Sequence, residues 1–256
     1  MKMPVVFVSH GAPDIALSTN ATTQCWQALG KQLPTPKAIL VLSAHWTTQQ
    51  PIISNASQPE TIYDFGGFPN ALYQLTYPAQ GAPELAQDIQ ALLQTQGINA
   101  QLEARGLDHG AWIPLLAMYP DATIPVLQLS IQPHLEVAWH IKLGQSLSYL
   151  REQGVLILGS GAVTHNFAWL KPHSSQAFTP AQQFADWLGH TLVQRDTQSL
   201  YEYRNLAPYG QAAHPTDEHL LPLMAIYGAS QADDQLTRYT PEYTYAALAM
   251  DAYLWA

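Results

Sequence analysis

The chain has 256 residues and a net charge of −9, and 47% of its residues are hydrophobic while only 11% are charged. This composition predicts a compact globular protein whose acidic surface argues against partners such as nucleic acid or an anionic membrane. No apolar run approaches the roughly 20 residues of a membrane helix, and one cysteine excludes an internal disulfide. We therefore expect a cytoplasmic protein with a single domain over residues 1–256.

Apolar periodicity and turn residues predict strands that alternate with helices along the chain. The expected strands are residues 5–9, 38–43, 51–54, 100–103, 125–131, 155–158 and a late, antiparallel one within 242–255. The expected helices lie within 14–33, 83–96, 112–119, 133–152 and 178–192, and a last one opens within 214–223. This alternation is typical of an α/β fold with a mixed central sheet flanked by helices.

Histidines follow three of the strands that are expected to lie at the centre of the sheet. His10 follows strand 5–9, His45 follows strand 38–43, and His165 comes shortly after strand 155–158. Ligands of α/β proteins bind at the carboxyl ends of the strands, so we expect these side chains to converge. Neutral imidazole is a common metal ligand, and His10 and His45 could hold a divalent ion.

A third ligand is expected from the segment that begins at His214 and ends at His219. The four residues between them read Pro-Thr-Asp-Glu, and Thr216 fits the N-cap of a helix. Either histidine, or Glu218, could complete the site. Two histidines with a carboxylate would favour non-haem Fe(II), and three histidines would suit zinc or iron.

Two further histidines are candidates for acid–base chemistry. His165 follows Gly159-Ser160-Gly161, where we expect glycines to permit a tight turn near a ligand, and His109 follows an aspartate in a turn. The glycine-rich stretch lacks the ending of a phosphate-binding loop, and no serine sits in a nucleophile elbow. The remaining candidates are expected to be surface or packing residues: His134, His140, His173 and His190.

Five motifs in order resemble the 4,5-DOPA extradiol dioxygenase family, within the class III extradiol ring-cleaving dioxygenases. They are Ser9-His10-Gly11-Ala12-Pro13, Ser43-Ala44-His45-Trp46, Leu107-Asp108-His109-Gly110-Ala111-Trp112, Gly159-Ser160-Gly161 with His165-Asn166, and His214-Pro215-Thr216-Asp217-Glu218-His219. Each motif alone is only a weak indicator of this family, but all five in this order at these separations are a specific one.

The resemblance implies a metal held by His10, His45 and His219, with His165 able to approach it as well. It also implies a catechol and dioxygen as substrates, with His165 and His109 as the acid–base residues. Bacterial members are commonly described as zinc-binding, whereas ring cleavage calls for Fe(II), because Zn²⁺ has no redox chemistry. We therefore expect one ion per chain, Zn²⁺ as isolated and Fe²⁺ for ring cleavage, in a monomer or homodimer.

Two other functions use the same histidines. A zinc hydrolase would activate a metal-bound water at His10, His45 and His219. A non-catalytic metal-binding module would keep the scaffold without turnover, although His165 and His109 would then have no use. Oxygen consumption with catechols separates the dioxygenase from both.

Overall fold

The computed structural model describes residues 2–171, 174 and 176–256. Its strands are β1 (Val5–Ser9), β2 (Ala38–Ser43), β3 (Ile52–Ser54), β4 (Gln101–Glu103), β5 (Val126–Gln128), β6 (Val155–Gly161), β7 (Leu236–Tyr239), β8 (Tyr243–Thr244), β9 (Leu248–Ala249) and β10 (Ala252–Trp255). Its α-helices are α1 (Ala21–Gln32), α2 (Pro83–Thr95), α3 (His109–Met118), α4 (Val137–Leu147), α5 (Thr179–Val193), α6 (Thr197–Tyr201), α7 (Tyr203–Leu206), α8 (Gly210–Ala213) and α9 (Leu221–Ala229). Short 3₁₀ turns cover Pro13–Leu17, Asn70–Gln74, Ser148–Arg151 and Phe167–Trp169.

The largest sheet has six strands in the order β5-β2-β6-β1-β10-β7. The strands β5, β2, β6 and β1 run parallel, whereas β10 pairs antiparallel with both β1 and β7. Two small sheets, β3-β4 and β8-β9, lie outside it. The expected α/β class with a mixed central sheet is confirmed.

Both faces of this sheet are buried, which explains why its strands are continuous apolar runs. Along β1, Val5 and Phe7 belong to one hydrophobic cluster, and Val6 and Val8 belong to the other. The first cluster includes residues of α2, α4, α5 and α9, and the second includes residues of α1 and α3. The helices thus form a layer on each side of the sheet.

Strand β6 brings the ends of its two neighbours together. Ser9 at the end of β1 pairs with Gly161, and Ser43 at the end of β2 pairs with Ser160. The residues that follow β1, β2 and β6 therefore meet at one edge of the sheet, as the strand–histidine pattern predicts.

The glycines that were expected to form a turn after β6 belong to the strand itself. The reason is close packing, because a Cβ on Gly161 would collide with the carbonyl oxygen of His219. The same oxygen accepts a hydrogen bond from Ala162 N at 2.9 Å. Glycine here admits the backbone of the segment that carries His219.

Three other expectations are wrong in detail. The long helix begins at Val137, because the chain before it forms turns, and it ends at Leu147 before a 3₁₀ turn. The C-terminal segment contains three short strands in place of one, since it turns between β8 and β9. Thr216 does not cap a helix, because α9 begins only at Leu221 and the Thr216 hydroxyl donates to Glu218.

Among the described residues, no helix combines the length and the apolar character needed to cross a lipid bilayer.

Candidate metal centre and active-site pocket

His10 is held in one tautomer by a buried serine. The Ser160 hydroxyl donates to the carbonyl of Gly110, so its oxygen accepts a hydrogen bond from His10 Nδ1–H at 2.9 Å. The proton of the neutral ring is therefore on Nδ1, and Nε2 presents a lone pair. That Nε2 lies 2.9 Å from Nε2 of His45.

His45 is positioned through its backbone. Its amide donates to Ser43 Oγ at 3.2 Å, and the Ser43 hydroxyl donates to Asp108 at 2.6 Å. The other ring nitrogen of His45, Nδ1, lies 3.9 Å from a carboxylate oxygen of Asp64. The Nε2 atom is thus turned towards His10 and the carboxylate lies on the opposite side of the ring.

His109 is the first residue of α3, and Asp108 caps that helix by accepting from the amide of Ala111. The His109 amide donates to Asp64 Oδ1 at 2.9 Å, and Nδ1 of its ring lies 3.0 Å from the same oxygen. Nδ1 makes no hydrogen bond there, so the bond from the backbone amide is the one that links His109 to Asp64. Asp64 therefore anchors His109 through its backbone and places a carboxylate near His45.

His219 and His165 form a stacked pair with centroids 3.4 Å apart and an interplanar angle of 11°. Nδ1–H of His219 donates to Glu218 at 3.0 Å, which leaves its Nε2 unprotonated in the neutral ring. His165 also contacts Phe167, whose side chain is 72% exposed. The Glu218 carboxylate, the alternative ligand, thus orients the ring of His219.

His214, the other alternative, is turned away from these rings. Its Nε2–H donates to the carbonyl of Val163 at 2.8 Å, and its ring packs against Phe184. Burial lowers the pKa of His214 to about 4, with the Val163 bond opposing it. His214 therefore supports the strand end from within the core.

The other four histidines were expected to be surface or packing residues. His140 is fully buried as a packing residue and accepts from the amide of Gln132, whereas His190 is exposed on α5. His134 lies in the turn before α4. His173 lies outside the described residues.

Burial favours the neutral form of four of the five site histidines. Burial lowers the pKa of His10 far below its usual range, and it lowers the pKa of His45 to about 4, each with help from neighbouring histidines. Burial likewise lowers the pKa of His165 and of His219, although Glu218 opposes both effects. Neutral imidazole is the form that binds metal, so the donor set fits a divalent cation.

The candidate ligand atoms fall into two groups, each with its atoms within 4.8 Å of one another. One group is His10, His45 and His109, and the other is His165, Glu218 and His219. The His219 ring joins them, since its centroid lies 5.5 Å from that of His10 and 5.0 Å from that of His45. All five expected site histidines therefore lie together.

A cavity of about 230 Å³ opens onto these rings. Its walls away from the histidines are mostly apolar, and Phe65, Phe68, Phe167, Leu170 and Met250 are among them. Phe65 and Phe68 meet edge to face at 5.6 Å, and Phe65 meets His109 in the same way at 5.5 Å. An aromatic ring fits such walls, with its polar groups towards the histidines.

Comparison with known proteins agrees with this geometry. Residues 4–251 match the family described as the catalytic LigB subunit of aromatic ring-opening dioxygenase. The chain belongs to the LigB family. Its relatives include a protein of Escherichia coli K12 named 4,5-DOPA dioxygenase extradiol, which is 40% identical over 92% of this chain and 88% of that protein.

A protein of the same name from Beta vulgaris is 44% identical over 88% of this chain and 85% of that protein. A crystal structure of an uncharacterised protein from Escherichia coli K12 superposes with a TM-score of 0.83, at 34% identity and 99% coverage of both chains. The LigB-family chain is thus an aromatic ring-opening dioxygenase, an oxidoreductase that uses a non-haem metal, and its histidine cluster is a possible site for that metal.

Sequence reasoning missed two residues of this LigB-family site. Asp64 lies in a loop between Tyr63 and Phe65, and nothing in that stretch indicates a contact with histidines from two other segments. Ser160 lies in the glycine-rich stretch at the end of β6, where the sequence alone predicts only a turn. Its position before Gly161 on a central strand was a usable signal, because Ser9 and Ser43 end the neighbouring strands.

Proposed function

We propose that the chain cleaves the ring of a catechol such as DOPA next to its two hydroxyls, with dioxygen as the oxidant, to give a ring-opened semialdehyde. The observation that carries this proposal is the cluster of histidines, with His10 and His45 held neutral by burial, at the base of an apolar cavity of about 230 Å³. The names of the Escherichia coli and Beta vulgaris relatives support a catechol of this kind. We treat residues 1–256 as one catalytic domain.

The ligands that we propose for a single divalent ion are His10, His45 and His219. The free Nε2 lone pairs of His10 and His219 support this choice, as does the approach of His45 Nε2 to His10. His165 is near enough to His219 to contribute when no substrate is bound. When bound, Fe²⁺ supplies both Lewis acidity and redox chemistry, whereas Zn²⁺ supplies only the first.

His165 is the residue that we propose to move the catechol proton. Its ring is neutral at neutral pH, because burial lowers its pKa, so it can accept a proton from a substrate hydroxyl. The contact with His219 places this base beside the proposed ligands. His109 lies on the opposite side, next to His45, where it can donate a proton to an oxygen of the substrate.

The apolar walls have a separate part in the reaction. Phe65 and Phe68 come from the loop that includes residues 63–68, and Phe167 follows the end of β6. A catechol ring held between them excludes water from the histidines, which strengthens electrostatic interactions in the site. These aromatic side chains orient the ring so that its hydroxyls meet the histidines.

Metal-stripped protein reloaded anaerobically with Fe²⁺ or Zn²⁺ tests the proposal. L-DOPA and then air are added, while oxygen uptake and the absorbance of a yellow semialdehyde are followed. We expect uptake and colour with Fe²⁺ only. No uptake with bound Fe²⁺ across several catechols would contradict the proposal and favour a zinc hydrolase that uses the same histidines.

A further inference from the structure

A second cavity, of about 420 Å³, adjoins the apolar pocket. The two cavities share Ala12 and Tyr245 in their linings, so Tyr245 stands at their border. The second cavity is more polar than the first, and its polar lining consists of Asp14, Ser18, Asn20, Ser174, Tyr243, Thr244 and Tyr245. A ring substituent that leaves the apolar pocket on this side enters a more polar space.

Asp14 and Tyr245 are joined across this border. The Tyr245 hydroxyl donates to Asp14 Oδ2 at 3.2 Å. Burial raises the pKa of Tyr245, and so does the Asp14 carboxylate, so the phenol keeps its proton and remains a donor. The pair leaves Asp14 as an anionic acceptor at the junction of the two cavities.

The backbone holds Tyr245 there in an uncommon conformation. Tyr245 and Ala246 both have positive φ, at 51° and 61°. Their carbonyls accept hydrogen bonds from the amides of Lys171 at 2.9 Å and Phe178 at 2.8 Å. These two residues begin the turn between β8 and β9, whose left-handed backbone and two hydrogen bonds fix the position of Tyr245.

Among the described residues that line the two cavities, the histidines are the only bases, and Asp14 is the one carboxylate. An ammonium group in the second cavity meets an opposite charge and several neutral acceptors. A carboxylate there meets the like charge of Asp14.

We propose that this second cavity is a substituent subsite, in which Asp14 binds the ammonium group of a catechol that carries an amine on its side chain. The inference rests on the proposed function, because the ring itself must occupy the apolar pocket. The preferred substrates are then catechols with a cationic chain, ahead of neutral ones and well ahead of acidic ones. Asp14 is a specificity residue that contacts the substituent and not the reacting oxygens.

Binding to the Zn²⁺-loaded protein without oxygen tests the subsite independently of turnover. Isothermal titration compares dopamine, 4-ethylcatechol and 3,4-dihydroxyphenylacetate, which are cationic, neutral and anionic. We expect dopamine to bind about two- to fivefold more tightly than 4-ethylcatechol, which is the gain that one partly exposed ion pair provides. The Asp14→Asn variant should remove this difference and leave the affinity for 4-ethylcatechol unchanged.

Asp88→Asn is the matched control, because it removes one negative charge from an exposed position on α2. It should keep the preference for dopamine. If all variants bind dopamine and 4-ethylcatechol equally, the subsite is wrong while the proposed function stands. If no catechol binds to protein that holds the metal, the proposed function fails and the subsite with it.

Discussion

Asp108 and Gln128 hold each other through two hydrogen bonds. The Asp108 amide donates to Gln128 Oε1 at 3.1 Å, and Gln128 Nε2 donates to Asp108 Oδ2 at 2.8 Å. The fully buried Asp108 carboxylate also accepts from the hydroxyl of Ser43 at 2.6 Å and from Arg105 at 3.2 Å. One carboxylate thus joins three elements near the site. They are the end of β5, the start of α3, where His109 lies, and the end of β2, which His45 follows.

Asp108→Asn should weaken both the fold and the metal site. The amide cannot accept from all of these donors, so at least one buried donor loses its partner, and the free energy of unfolding should fall by about 2–4 kcal/mol. Urea unfolding measures this loss, and Asp88→Asn on α2 is the exposed control. An unchanged unfolding midpoint would mean that the network relaxes without cost.

Ser160→Ala should reduce metal affinity more than its small volume change implies. The variant removes the acceptor that holds the proton of His10 on Nδ1, so the neutral ring can present N–H to the metal side. Loss of such an orienting partner lowers metal affinity about 10- to 100-fold. Competition with a chromophoric chelator measures it, with Ser146→Ala at a half-buried position of α4 as control. Equal affinities would contradict the role of Ser160.

His165→Ala should separate metal binding from turnover. We expect most of the bound metal to remain, because His10, His45 and His219 are the proposed ligands, while kcat falls about 10²- to 10⁴-fold with the loss of the base. Metal content and oxygen uptake are measured on the same sample, and the exposed His190→Ala is the control. Parallel loss of metal and activity would make His165 a ligand.

Asp234 should contribute to stability at neutral pH and not in strong acid. Burial opposes its ionisation, but hydrogen bonds from Arg151, the Gln231 amide and Lys2 outweigh that effect and lower its pKa to about 2. Because the folded pKa lies below the ordinary value of 3.8, the contribution is complete above about pH 4 and is lost as pH falls towards 2.

Asp234→Asn leaves the fully buried Arg151 without its anion, so we expect a loss of about 3 kcal/mol near pH 6. The difference from the wild type should shrink as pH falls to 2. Asp233→Asn changes an exposed neighbour, 77% accessible, and should change little. A difference between wild type and Asp234→Asn that is constant with pH would refute the linkage. Chemical denaturation at several pH values provides the data.

Gly161→Ala should disturb the segment that carries His219. The new methyl would collide with the His219 carbonyl, which is backbone and cannot move alone. Overpacking of this kind costs about 1–3 kcal/mol, and metal affinity should fall with it. Gly66→Ala is the control, since a Cβ there meets nothing within 4 Å. Thermal unfolding measures the loss of stability and zinc titration measures the loss of metal affinity, each for Gly161→Ala and Gly66→Ala.

Much of this protein could be predicted from local patterns in its sequence. Apolar runs ending at Ser9 and Ser43 predicted central strands, because a strand buried on both faces needs apolar residues at every position. The parallel arrangement then predicted that His10 and His45 meet, because neighbouring parallel strands end at the same edge. His165, His109 and His219 were added by resemblance and by their turn-rich contexts.

The orientation of the site histidines depends on tertiary contacts, which no local sequence pattern contains. His214 and His219 stand in the same short stretch, and only packing against β6 turns one into the core and the other towards the site. Asp64 reaches His109 from 45 positions away, and Ser160 fixes the proton of His10 from 150 positions away. Such contacts depend on how distant segments pack. The sequence alone therefore determined the strands and the histidines that follow them. The folded chain determined the tautomers of those histidines, their orienting partners and the two adjoining cavities.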